Sequence, residues 1–243
     1  VTDSPARTST LASAGDALFR PVRTGNAFEE TVERLLQAIR LGVAGPGERL
    51  PAERELATRL NISRVTLREA IRALQESGYV ESRRGRYGGT FVNETLPTGK
   101  RTKEVTTTEL DDVLTMRRIL EVGAAEAAAA RTLTPEERQY LRAHLADSAT
   151  GALSEYRRKD SRLHLAIAEV AGSPTLTSAV ADVRVRINEL LDAIPLLDTN
   201  LDHSNAQHEQ IVQRILDGDP AKARDAMAEH LAGTASLLRG FLS

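Results

Sequence analysis

All five histidines of the chain, His144, His164, His203, His208 and His230, fall in its second half. In "DSRLH", Asp160 and His164 stand at i and i+4, which on a helix puts both side chains on one face about 6 Å apart. His208 lies in "QHEQIVQRI" and His230 in "MAEHLAG", in two predicted helices joined by the tight turn "DGDP". Antiparallel packing of those helices brings both imidazoles to one level. Three imidazoles and a carboxylate suit a first-row divalent metal ion such as Zn, Ni, Mn or Fe. Spacing alone does not separate this reading from a set of unrelated, partly buried polar residues, because a lone Asp-x-x-x-His is common on helix surfaces. His144 and His203 fit no such spacing and are expected to face solvent.

A second set of residues is cationic. "ISRVTLREAIRAL" carries Arg64, Arg68 and Arg72 at four-residue steps. Leu67, Ala70, Ile71 and Leu74 form the apolar stripe of the same helix, with Arg68 and Arg72 roughly opposite. Ser63 is the expected N-cap, so Arg64 opens the helix where a cation opposes the macrodipole by about 0.3–1 kcal/mol. A nearby phosphate or guanine would offset that cost. Arg64, Val65, Thr66 and Arg68 supply donors and a methyl-sized contact in the first turn and a half, which a helix seated in a DNA major groove requires. Downstream, "RRGRYGG" sets Arg84, Gly85 and Arg86 at a predicted hairpin tip. Glycine there lets backbone approach a phosphate or enter a minor groove. Arginines outnumber lysines 28 to 4 across the chain, so position rather than number carries this reading. The formal net charge of -2 is no obstacle. From Arg64 to Arg86 six arginines stand against three glutamates, and charges beyond about 8 Å are largely screened at physiological salt.

The elements that must position these residues divide the 243-residue chain in two. Residues 1–25 have no apolar period and read as a flexible tail. Residues 26–92 read as helix, helix, turn, helix and hairpin, the order of a winged helix-turn-helix. A helix covers Phe28 to Leu41. Pro51 is expected at the first position of the next, in "PAERELATRL". Residues 93–108 read as a linker. Residues 109–243 read as an all-α helical bundle, with starts expected at the capping box of Thr134 and at Ser173–Pro174. The absence of cysteine excludes disulfides and thiolate metal sites. No run reaches the roughly 18 apolar residues of a membrane span, and the N-terminus lacks a secretory h-region. A cytoplasmic location is expected.

The stretch "GERLPAERELATRLNISRVTLREAIRALQESGYVESRRGRYGGTFV" resembles the DNA-binding domain of the GntR family of bacterial transcription regulators, the match running from Glu33 to Val92. The resemblance implies base or phosphate contacts at Arg54, Arg64 and Arg68, a wing tip at Gly85, and binding to palindromic operators as a homodimer. The segments "MRRILEVGAAEAAAARTLT", "DSRLHLAIAEVAGSPTL" and "HEQIVQRILDGDPAKARDAMAEHL" are similar to the FCD ligand-binding domain of the FadR-like subgroup. By that resemblance Asp160, His164, His208 and His230 hold a divalent metal beneath a small organic acid effector, and Arg117 in "RRILE" lies near the effector. Ser173 departs from the pattern, which usually has asparagine after the glycine.

The expected function is therefore regulation of transcription from double-stranded operator DNA, as a repressor released by a small carboxylate. An enzyme on the helical half is the first alternative. It would need a general base by the metal, and Glu209 beside His208 is turned away by about 100°. A purely structural or empty metal site is the second.

Overall fold

The computed structural model describes residues 19, 21–40, 44–85, 88–97, 106–150 and 153–242. Among these, the first half holds α1 (Ala27–Arg40), α2 (Glu53–Leu60), α3 (Arg64–Glu76) and the hairpin β1 (Val80–Arg83) and β2 (Gly89–Val92). The strands pair antiparallel, with Val80 opposite Val92 and Arg83 opposite Gly89. The preceding loop adds a rung, since Leu50 N–H donates to Thr90 O at 2.8 Å and Gly47 N–H to Val92 O at 2.9 Å.

Local chemistry sets the ends of these elements. Ser63 has extended backbone and accepts from Thr66 N–H, so α3 begins at Arg64. Asn61 takes a left-handed conformation at φ 54° and closes α2. The α2 start differs from expectation: Ala52 is the cap, and Pro51 precedes it rather than opening the helix. α3 gives way to β1 through Gly78 at φ 77°.

The second half is α4 (Thr107–Ala129), α5 (Pro135–Ser148), α6 (Leu153–Val170), α7 (Pro174–Asp192), α8 (Asp198–Leu216) and α9 (Pro220–Leu242). Thr106 and Thr134 both form capping boxes, with Glu109 and Glu137. Ser173 caps α7, so the serine does the work of the usual asparagine. α8 begins about ten residues before the apolar pattern shows it. Its first turns, "DTNLDHSNAQ", are weak helix formers that burial of Leu201 retains.

The two halves share a core. One apolar cluster joins Val32, Leu35, Leu36, Leu67 and Leu74 to Leu110, Ile187, Leu237 and Leu238. A second lies within the bundle, around Ala125, Leu163, Ile167, Ile211 and Leu231. α1 lies against α9 at close range because Gly233 and Gly240 lack side chains. A Cβ on Gly240 would come within 3.1 Å of Glu33 Cα. Tyr79 meets Phe241 edge-on, ring centroids 6.0 Å apart. The two halves on either side of the expected linker, residues 93–108, are packed together, and residues 98–105 of it lie outside the described set. No described helix is long and apolar enough to cross a membrane.

Candidate metal centre and nucleic-acid interface

α6 carries Asp160 and His164 one turn apart, and α8 and α9 bring His208 and His230 to the same level. All four residues are buried, none more than 7% exposed. One ligand atom from each lies within 4.8 Å of the others. His208 Nε2 is 3.2 Å from His230 Nε2 and 3.3 Å from Asp160 Oδ1. His164 Nε2 is 3.6 Å from the same carboxylate oxygen.

The 3.2, 3.3 and 3.6 Å separations are close to those of a metal's ligands. Ligands held at about 2.0–2.2 Å around a first-row ion lie roughly 3–3.5 Å from one another. The donor set fits too. His164 Nε2 has no hydrogen-bond partner among the described residues. Burial pushes the His208 imidazole to lower pKa, and His230 well below the usual range, the latter helped by His208 and His164. Both are then neutral at pH 7, the form that ligates.

A charged frame surrounds the cluster. Asp160 Oδ2 accepts from Arg184 Nη2, which also donates to Ser161 Oγ at 2.9 Å. Glu121 lies with Oε2 2.6 Å from His164 Nδ1 and Oε1 3.3 Å from Arg117 Nε. A carboxylate on the outer nitrogen of a ligating imidazole fixes its orientation and raises its basicity. Burial alone would raise the Glu121 carboxyl, but Arg117, His164 and Arg184 together hold it well below the usual range. Asp160 behaves alike, with Arg184 and His164 outweighing burial. The two carboxylates and two guanidiniums balance.

Arg117 is 2% exposed, with Nη1 unpartnered among the described residues. It lines a small pocket together with Asp160 and His230. The outer wall is Leu191, Ile194, Leu197, Leu201 and Leu237, with Tyr156, Ser204 and Thr234 contributing hydroxyls. Sequence reasoning missed Glu121 and Arg184. Both had a signal. Glu121 follows Arg117 by four residues, and Arg184 interrupts the apolar stripe of Val180 and Ile187. Of the remaining histidines, His144 is half-buried against the Tyr140 ring at 4.5 Å. His203 is not a free solvent-facing residue: its Nδ1 lies 2.7 Å from Glu29 Oε1 in α1.

The cationic face lies at the other end. Arg64 and Arg68 are exposed on α3, and Val65 is 66% exposed although apolar. Thr66 is half-buried, its hydroxyl 2.9 Å from Ser63 Oγ. Arg68 is lightly tied to Glu53 of α2 at 3.1 Å. Arg54 is exposed on α2, and Arg84 is exposed beside the hairpin tip. Gly85 has φ 104°, with open space where a Cβ would stand. Arg83 packs on the Phe91 ring at 4.3 Å, which ties one cation to the hairpin rather than leaving it to a ligand. Arg86 lies outside the described residues.

Comparison with known proteins bears on both regions. The family described as bacterial regulatory proteins, gntR family, matches residues 28–92, and the FCD domain matches residues 112–233. RmpR of Mycobacterium gastri, assigned to the HTH-type transcriptional regulators, is 33% identical over 229 residues, covering 88% of this chain and 81% of its own. The Uxu operon transcriptional regulator of Escherichia coli (strain K12) is 32% identical over 216 residues, covering 81% of this chain and 80% of its own. Among solved structures, a Streptococcus agalactiae GntR protein is 27% identical, covers 86% of this chain and 98% of its own, and superposes with a TM-score of 0.46.

Proposed function

The chain belongs to the GntR family and carries an FCD domain, a DNA-binding transcription regulator rather than an enzyme, and from that premise we propose a repressor released by a small carboxylate bound at a metal in the bundle. The observation that carries this reading is the convergence of three imidazoles and Asp160 on one buried point, two of them, Asp160 and His230, also lining a pocket with Arg117. The charged residues framing the cluster are electrically balanced: Asp160 and Glu121 against Arg117 and Arg184. A divalent ion there leaves two uncompensated positive charges in a buried place, which is costly unless an anion joins them. Asp160, His164, His208 and His230 would hold the ion, which supplies an attachment point for a carboxylate. Arg117 adds a guanidinium that pairs well with carboxylate oxygens.

On the operator side, Arg64, Val65, Thr66 and Arg68 read base edges, with Arg54, Arg84, Gly85 and Arg86 on the backbone and minor groove. The working form is a homodimer in the bacterial cytoplasm. Supporting it, Met116 and Ile119 on α4 and Val185 on α7 are exposed on two helices that pack together, at 43%, 57% and 60%. A two-fold contact through α4 and α7 would cover them.

The test uses protein purified without a metal-affinity resin. Operator binding is followed by gel shift against a panel of short carboxylic and hydroxy acids, with and without chelator. At least one acid should weaken operator binding tenfold or more in the metal-loaded protein and have no effect after chelation. His208→Ala should lose both stoichiometric metal and the acid response while still binding the operator. Stoichiometric metal in that variant, or an acid response that survives chelation, defeats the proposal.

A further inference from the structure

The side chains of His230, Gln207 and Asn26 run in single file from the imidazole cluster to the entry of α1, where Asn26 turns back to a peptide carbonyl of α9. His230 Nδ1 lies 3.2 Å from Gln207 Oε1. Gln207 Nε2 donates to Asn26 Oδ1 at 3.2 Å, and Asn26 Nδ2 donates to the backbone carbonyl of Glu229 at 2.9 Å. Asn26 closes the 3₁₀ turn Thr24–Asn26 that leads into α1, and it is 2% exposed. Gly233 makes the room, since a Cβ there would sit 2.7 Å from Asn26 Oδ1.

The polarity of this file has one solution. A peptide carbonyl only accepts. Asn26 must give its NH₂ to Glu229, so its oxygen faces Gln207. Gln207 must answer with its own NH₂, so its oxygen faces His230. That oxygen requires a proton on His230 Nδ1. In a neutral imidazole the other nitrogen then keeps its lone pair. That nitrogen, Nε2, is the one that faces His208.

We infer that Asn26, a residue of the DNA-binding half, is a positioning residue of the metal centre: through Gln207 it sets the tautomer and ring orientation of His230. This rests on the metal reading given above. The coupling is reciprocal. An imidazole that gives its lone pair to a cation donates more strongly from its N–H, which draws Gln207 and Asn26 onto the bundle and holds the entry to α1 in place.

Co²⁺ is the probe, because its absorption spectrum reports coordination and its Kd follows from competition with a chromophoric chelator. Full-length Asn26→Ala and Gln207→Leu should each bind Co²⁺ about 10- to 100-fold more weakly than wild type, and the double variant little more weakly than either. Gln207→Glu accepts from His230 Nδ1 unaided. It should retain wild-type affinity and make a further Asn26→Ala change silent, which a purely structural role for Asn26 does not predict. Hydrogen exchange in α1 should slow on Co²⁺ addition in wild type and not in Gln207→Glu. Should Asn26→Ala fail to fold, Gly233→Ala displaces the same side chain from the other side and carries the same expectation. Wild-type Co²⁺ affinity in a folded Asn26 or Gly233 variant overturns the inference and leaves the metal reading intact. Absence of Co²⁺ binding by wild type itself overturns both.

Discussion

Arginine and carboxylate meet at both ends of this molecule, with opposite physical consequences. On the exposed face of α3, Arg68 contacts Glu53 at 3.1 Å with side chains 63% and 38% exposed. In the bundle, Arg117 contacts Glu121 at 3.3 Å with side chains 2% and 1% exposed. An exposed pair contributes about 0–1 kcal/mol and is readily exchanged for another partner. A buried pair is costly to break, because the survivor is left as an unpaired charge out of water. A cation on α3 can therefore leave its carboxylate for a phosphate at little cost, whereas the cations of the bundle form a fixed electrostatic frame. Burial explains why only one set is exchangeable.

The contrast is broken most directly at Glu121. Glu121→Ala leaves Arg117 and Arg184 facing each other without their shared carboxylate and should cost about 3–5 kcal/mol in chemical denaturation. A loss below 1 kcal/mol would mean that water or another group already compensates those guanidiniums.

Arg64→Ala and Arg68→Ala sharpen the other side. Each should weaken operator binding by about 1–3 kcal/mol if it reads a base, with the melting temperature nearly unchanged. Unaltered gel shifts for both variants would remove α3 from the groove.

The smallest effect is one of pH. Hydrogen bonding to Glu29 raises the His203 pKa against the opposing effect of burial. A raised folded-state value means that the contribution is complete below the unfolded value of about 6.5 and is lost as pH climbs through the folded one. The stability gap between wild type and His203→Ala should therefore be wider at pH 5.5 than at pH 8.5. A gap independent of pH would show that the contact does not depend on the imidazolium charge.

Much of this was legible in the residues because it is local. Ser63, Thr134 and Ser173 announce helix starts through short-range hydrogen bonds, and all three do so in the structure. Asp160 and His164 lie one turn apart on one helix, so their juxtaposition needs no tertiary knowledge. The start of α8 was not legible, since polar "DTNLDHSNAQ" is held helical by what Leu201 packs against. Gln207 and Asn26 were out of reach for a related reason. They are 181 positions apart, and no spacing rule connects an amide at the mouth of one helix to one in the middle of another. That α1 packs against α9 was likewise not legible, because apolar periodicity shows which face of α1 is buried but not what covers it.

The missing side chains at Gly233 and Gly240 carry a consequence for how the halves of this chain can be exchanged. A methyl group at either place would press on Asn26 or on the Glu33 backbone, so α1 could keep its seat on α9 only by shifting outward. The seam is thus keyed to glycine on one side and to the entry of α1 on the other.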